Sequence, residues 1–245
     1  MIVAQKRRMF EHTFNVLNRW LLFQSFHRIY IRMPSSEIQL QRPTVYYVNH
    51  SNWWDALLIF QLNYSLLRQQ AHGMMSEEGL KQFPFFRKLG VYSINRKSLR
   101  DIKQSLDYTV GLLQEPDQSV WIFPQGDVFH QESRPLTFLP GIGYLLEKCV
   151  HAQWIPVTFY YSYGLVRQPD IYIEFGTPLP EAQLASRSRS ERLTYAQDVL
   201  TQQLDRLRED VLHHQVDHFH PIWTGLAPTR DRFPHILRHD RVEHH

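Results

Sequence analysis

The stretch TVYYVNHSNWWDALLIF, residues 44–60, changes its period halfway. TVYYVN (44–49) is a short apolar run of β-formers, whereas NWWDALLIFQL (52–62) reads as a helix. A strand passing through a brief polar loop into a helix is half of a βαβ unit, which predicts an α/β fold. His50 falls in the loop and Asp55 in the first helical turn, five positions on. Two readings fit this pair. In one, Asn52 is the N-cap and Asp55, three residues later, completes a capping box and answers the helix dipole. In the other, Asp55 accepts a hydrogen bond from one imidazole nitrogen of His50, fixing the tautomer and stabilising the imidazolium formed when the other nitrogen takes a proton. That is two-thirds of a triad. Ser51 is the nearest third member, but adjacent side chains point apart and no G-x-S-x-G turn surrounds it. A substrate hydroxyl fills the role equally well, with His50 as its general base.

Outward from this stretch the alternation continues. A weak strand at AHGMMS (71–76) precedes a helix at EEGLKQFPFFRKLG (77–90), broken at Pro84 and ending near Gly90. VYSIN (91–95), SVWIFP (119–124), WIPVTFYY (154–161) and IYIEFG (171–176) read as strands, with helices at 99–114 and 143–150 between them. The expectation is one α/β domain over residues 35–214, a mostly parallel mixed sheet flanked by helices, with its chemistry in loops beyond the strand ends. A polar Ser/Arg stretch from residue 185 leads into a last helix ending near 214. Residues 215–245 form a His/Pro-rich tail, extended or laid across the domain through Phe219, Ile222 and Trp223. His214 and His218 are four apart, but without a carboxylate or cysteine pattern beside them no metal site is expected.

Composition bounds the reading. With 245 residues and 43% hydrophobic side chains the chain can bury a substantial core, and its single cysteine, Cys149, leaves no intrachain disulfide. No segment approaches the roughly 20 apolar residues of a membrane span. Net charge is only +3, yet residues 1–32 hold six Lys or Arg (Lys6, Arg7, Arg8, Arg19, Arg28, Arg32) against one acid, Glu11. Phe10, Phe14, Leu17 and Leu21 recur there at helical spacing. Residues 1–34 therefore read as a basic amphipathic helix, which either contacts a membrane surface or packs on its own domain. The basic residues lie in this lipid-like segment rather than in a base-reading motif, so no nucleic-acid partner is expected.

NHSNWWD resembles the H-x-x-x-x-D motif of the glycerolipid acyltransferase family, which acylates glycerol-3-phosphate, lysophospholipids and related alcohols. Three similar blocks follow in the family's order: GVYSINR (90–96), IFPQGD (122–127) and WIPVTF (154–159). IEFGTPLP (173–180) resembles the Gly-x-Pro segment that commonly comes next. The resemblance implies transfer of a fatty acyl group from a thioester, acyl-CoA or acyl carrier protein, to an alcohol, in the manner of a 1-acylglycerol-3-phosphate acyltransferase. It makes His50 the catalytic base and Asp55 its partner, and it places Asn52, Arg96, Phe123, Pro124, Gln125, Gly126 and Arg134 at the substrate. No cofactor is implied beyond the thioester co-substrate. The partners implied are a lipid acceptor, an acyl donor and a membrane surface, with the protein peripheral on the cytoplasmic, inner face of the cell membrane.

The third block departs from the family pattern. Gln125 stands where the family usually has glutamate, and Asp127 and Val128 where Thr-Arg is common. Relatives proposed to acylate carotenoid glycosides look similar, with FPQG followed by an Arg-Pro-Leu segment; SRPLTF (133–138) supplies Arg134 there. Arg134 either replaces the missing cation or pairs with Glu132 or Asp127. Gln125, both donor and acceptor, suits a neutral hydroxyl-rich acceptor. Trp53 and Trp54 either pack the helix or wall an acyl-chain tunnel. The rival reading of the whole is a catalytically silent lipid-binding module of the same fold.

Overall fold

The computed structural model describes residues 1–34, 38–164 and 166–225. Helix α1 (Arg8–Ser25) leads into β1 (Arg28–Arg32); β2 (Thr44–Val48) is followed by α2 (Asp55–Leu62), which runs on as a π-helical turn over Asn63–Leu67. Then come β3 (Gln70–Ser76), α3 (Glu77–Gln82), a 3-10 helix (Pro84–Leu89), β4 (Val91–Ile94), α4 (Leu99–Leu112) and β5 (Gln118–Ile122). The remainder is α5 (Gly141–Lys148), β6 (Gln153–Ser162), β7 (Asp170–Phe175), α6 (Glu181–Ala185), α7 (Arg189–Leu212) and β8 (His220–Thr224).

All eight strands join one sheet in the order β4-β3-β5-β2-β6-β7-β1-β8. Neighbours from β4 through to β6 are parallel; β7 runs antiparallel to β6 and parallel to β1, and β8 is antiparallel to β1. This is the mostly parallel mixed sheet that the alternation predicts. Near its centre, every residue of β2 is buried. Val45 and Tyr47 face a core shared with Leu145 of α5 and Leu200 of α7, while Tyr46 and Val48 face Leu22 of α1 and Leu58 of α2. Helices covering both faces explain why TVYYV is buried throughout and does not alternate.

Two expectations change. The N-terminal amphipathic helix expected over residues 1–34 ends at Ser25, because RIYIR (28–32) has period two. Ile29 and Ile31 are buried, and the segment enters the sheet between β7 and β8. Arg32 then bonds Glu174 at 2.9 Å and Asp210 at 2.8 Å. Helix α1 packs through most of the Phe10, Phe14, Leu17, Leu21 stripe: Phe14 is buried, Phe10 and Leu21 pack with it against the cluster of Leu57, Leu80 and Phe86, and Leu17 alone of the four is exposed. Phe14, Asn18 and Leu22 are its buried residues, and the Asn18 amide donates to Leu57 O and Gln61 Oε1, each at 3.2 Å. The segment read as a tail contributes buried Phe219 and the edge strand β8; residues 226–245 lie outside the described residues.

What positions the site is the place of β5. It returns between β3 and β2, so Tyr47 and Ile122, near the carboxyl ends of two parallel strands, are register partners. The loops beginning at Asn49 and Phe123 therefore meet beyond the sheet, the usual place for a site in this architecture.

Candidate active site

The His50 loop is folded around one carboxylate. Asp55 Oδ2 accepts from His50 Nδ1 at 2.8 Å, from the Ser51 amide at 2.8 Å and from the Asn52 amide at 2.9 Å. Its Oδ1 accepts from the Tyr161 hydroxyl at 2.5 Å. Asp55 is fully buried, and a buried carboxylate costs several kcal/mol unless donors surround it; here four do. Burial, followed by the neighbouring carboxylate, pushes the Tyr161 hydroxyl well above its ordinary pKa, so it stays a donor. Backbone amides can only donate, so the oxygen that faces His50 is an acceptor. The imidazole therefore donates through Nδ1 and keeps the Nε2 lone pair. The ring is not sealed off: its side chain is 19% exposed.

The expected capping box does not form. Helix α2 starts at Asp55 itself, and Asn52 Oδ1 accepts from the Trp54 amide at 3.2 Å, closing a local turn. From the first helical position the carboxylate reaches back to the Ser51 and Asn52 amides, so Asp55 ties the loop to the helix start and holds His50 at once.

A second loop fixes the histidine's backbone. The Gln125 side chain is buried and its Oε1 accepts from the His50 amide at 3.1 Å, while His50 O accepts from the Phe129 amide at 2.9 Å. Phe123 lies flat on the imidazole, with ring centroids 3.8 Å apart and planes within 10°. Between them the chain turns sharply: Gly126 donates to Phe123 O at 3.0 Å with φ +78°, and a Cβ there would lie 2.4 Å from Leu139 Cδ1. Only glycine fits that turn. Pro124 O accepts from the Leu139 amide at 2.9 Å, tying the turn to the segment before α5.

Arg96 comes from the end of β4 and meets the same turn, with Nη1 3.1 Å from the Gly126 Cβ position. Its guanidinium grips Asp127 with two hydrogen bonds, of 2.8 and 2.7 Å. Those bonds hold the Asp127 carboxyl below the usual carboxylate range, with nearby His50 adding a smaller pull, and they raise Arg96 above its ordinary value. Arg134 is engaged elsewhere. It donates to Asp205 of α7 at 2.6 Å and to the carbonyls of Gln131 and Ser133, so neither Glu132 nor Asp127 is its partner. Glu132 instead accepts from Tyr160 and Arg208.

Three supporting residues, Tyr161, Gln131 and Asn49, carry no sequence signal of their own. Tyr161 ends a strand and is held by Gln131, whose side chain bonds both the amide and the carbonyl of Tyr161 at 3.0 Å. Asn49 clamps the start of the His50 loop to β6, bonding Phe159 N at 2.8 Å and Phe159 O at 3.0 Å. The Ser51 hydroxyl is buried with no hydrogen-bond partner among the described residues, so it has no base to activate it.

Phe123 also borders a cavity of about 370 Å³, walled by Ile59 and Phe60 of α2, Met75 of β3, Leu89 and Trp121. Neither tryptophan of the His50 loop lines it: Trp53 is exposed, and Trp54 packs edge-on against Phe26, centroids 5.2 Å apart. Lys6 and His72 bring polar atoms to the wall, and burial lowers the pKa of both. Phe123, stacked on the imidazole, thus borders a cavity of mixed apolar and polar lining, and the Arg96–Asp127 pair lies at the adjoining turn.

No curated protein matches the chain. A family model described as Acyltransferase matches residues 30–160, over half of the 245, and spans the β2 and β5 loops and most of β6. With His50, Asp55, Arg96 and Gln125 all inside that match, the chain belongs to the acyltransferase family.

Proposed function

We propose that the protein is an O-acyltransferase that moves a fatty acyl group from a thioester, acyl-CoA or acyl carrier protein, to a hydroxyl of a lipid or glycolipid acceptor. The observation that carries this reading is the His50–Asp55 pair, with Nδ1 2.8 Å from the carboxylate and Nε2 turned away from it. His50 Nε2 takes the acceptor's hydroxyl proton as the oxygen attacks the thioester carbonyl. The tetrahedral intermediate collapses with cleavage of the C–S bond, and the proton on Nε2 passes to the leaving thiolate. Ester and free thiol are formed, and His50 returns neutral. Asp55 stabilises the imidazolium between these steps, an effect strengthened by its burial. No acyl-enzyme is needed, in keeping with the unpartnered Ser51 hydroxyl.

The cavity bordered by Phe123 is proposed to take the acyl chain, each buried CH₂ contributing roughly 0.8 kcal/mol. Asn52, Phe123, Pro124, Gln125 and Gly126 shape the acceptor side through the loop geometry described above. A membrane surface is the proposed source of the acceptor. Met9, Val16, Leu17 and Trp20 form an exposed apolar strip along α1, flanked by Arg8 and Arg19, a pattern suited to the headgroup region. Among the described residues no helix is long and apolar enough to cross a membrane. The test is product mass spectrometry after incubating the protein with mixed acyl thioesters and a lipid extract. A new acyl ester formed with release of thiol is the expected result; absence of both points to the lipid-binding module.

A further inference from the structure

The region next to His50 contains a cation that the chain has already neutralised. Arg96 touches the Gly126 turn, and both of its terminal nitrogens are bonded to the two oxygens of Asp127. The rest of the segment repeats the pattern. Lys97 pairs with Glu78 at 2.9 Å. The N-terminus of α4, the other feature that would attract an anion, holds Asp101, whose amide is capped by Ser98 and whose carboxylate accepts from Asn95 at 2.8 Å. So the segment RKSLR (96–100), with Arg96, Lys97 and Arg100, presents two of its three cations and its helix start already matched to the chain's own carboxylates.

We infer that Asp127 is a specificity residue: its carboxylate neutralises Arg96, the cation at the turn beside His50, so an anionic group finds no free charge there and the acceptor is an uncharged hydroxyl compound, a polyol or sugar, rather than a phosphate ester. A guanidinium bonded through its edge to both oxygens of a carboxylate forms a pair of no net charge, and a phosphate approaching it meets the Asp127 oxygens. A hydroxyl, donor and acceptor at once, is served by the pair's remaining N–H groups and lone pairs. Gln125, neutral and buried beside them, adds no charge. The pair is open to a ligand, with Arg96 38% and Asp127 60% exposed. This inference rests on the acyl-transfer reading for the word acceptor, though the masking of Arg96 does not.

The test has two arms. In the first, inorganic phosphate is titrated by calorimetry into the wild type, Asp127→Asn and Asp127→Asn/Arg96→Gln, each checked for unchanged circular dichroism. Asp127→Asn should bind phosphate at least tenfold more tightly than the wild type, about 1.4 kcal/mol, and the gain should vanish in the double variant. Equal binding by wild type and Asp127→Asn, a gain that survives loss of Arg96, or no binding by any of them overturns the inference. In the second arm, thiol release from one acyl thioester is compared with an alkyl glucoside and with a lysophosphatidate as acceptor. The wild type should prefer the glucoside, and Asp127→Asn should shift the ratio at least tenfold toward the phosphate. A wild-type preference for the lysophosphatidate also overturns it. Thiol release with neither acceptor counts against the acyl-transfer reading, and the phosphate titration still decides the role of Asp127.

Discussion

The Tyr161 hydroxyl and the Asp55 carboxylate, 106 residues apart, meet at 2.5 Å and complete the ring of donors around the group that holds His50. Tyr161 is a positioning residue: it touches Asp55 and not the reacting atoms. Removing its hydroxyl leaves Oδ1 short of a partner inside the fold. A hydrogen bond to a charged group is worth about 1.5–3 kcal/mol, so Tyr161→Phe should lower kcat about tenfold or more. KM for the thioester should hardly move, because the lost bond lies behind the imidazole. Steady-state kinetics on the purified variant, with its melting temperature as control, checks the split.

Asp55→Asn should be far more damaging than its size suggests. The amide can keep the bonds from the Ser51 and Asn52 N–H groups through its oxygen. In that pose its NH2 faces the Tyr161 hydroxyl and the imidazolium is left without a counter-charge; turned round, the amide offers N–H to Nδ1 and sends the imidazole proton to Nε2. Loss of about 10³–10⁴-fold in kcat is expected, the scale seen when the acid of a histidine-based triad is neutralised. Turnover within a few-fold of wild type would count against Nε2 as the base.

Helix α1 gives a prediction about location. Val16 is 70% exposed and Trp20 56% exposed, while Phe14, Asn18 and Leu22 hold the helix to α2. A Val16→Glu/Trp20→Glu variant should therefore keep its fold and its activity on a water-soluble acceptor. Its sedimentation with anionic phospholipid vesicles should fall several-fold, and wild-type binding should weaken with salt as screening shortens. Equal sedimentation of the two proteins would remove α1 as the contact.

Cys149 tests the packing behind the sheet. It is buried, and burial pushes its thiol up to about 12 from an ordinary 9.0. The folded state thus favours the protonated thiol, so this group's contribution to stability is full below pH 9.0 and is lost progressively as pH rises from there toward 12. At pH 8 a disulfide reagent should label Cys149 only as fast as the protein opens, and at once in denaturant. Rapid native labelling would contradict the packing of α5 against α7.

The His50–Asp55 relation was legible because it is local: five residues, a strand end and a first helical turn suffice to place the groups face to face. Strands and helices of the central region were legible for the same reason, each being a run with one clear period. RIYIR (28–32) was not, since its period of two is short and continues directly from a longer helical pattern, and only pairing with β7 and β8 decides it. Asp127 as the partner of Arg96, Tyr161 as the partner of Asp55 and Asp205 as the partner of Arg134 all depend on which strand ends and helices become neighbours. That is set by β5 returning between β3 and β2 and by α7 crossing the sheet. Local pattern has no access to either. The capping box failed for a subtler reason: Asn52 and Asp55 have the spacing, but the carboxylate is drawn to three donors in its own loop.

The central claim is that His50 is the base for acyl transfer to a hydroxyl, and the most direct measurement is acceptor-dependent thiol release from an acyl thioester by wild type and His50→Ala. The ring is partly exposed and its loop is held by Gln125, Asn49 and Phe129 through other atoms, so the alanine variant should fold. Wild-type protein should release thiol in step with new ester, and His50→Ala should lose about 10²–10⁴-fold of that rate with an unchanged circular dichroism spectrum. Turnover by His50→Ala near the wild-type rate would contradict the account.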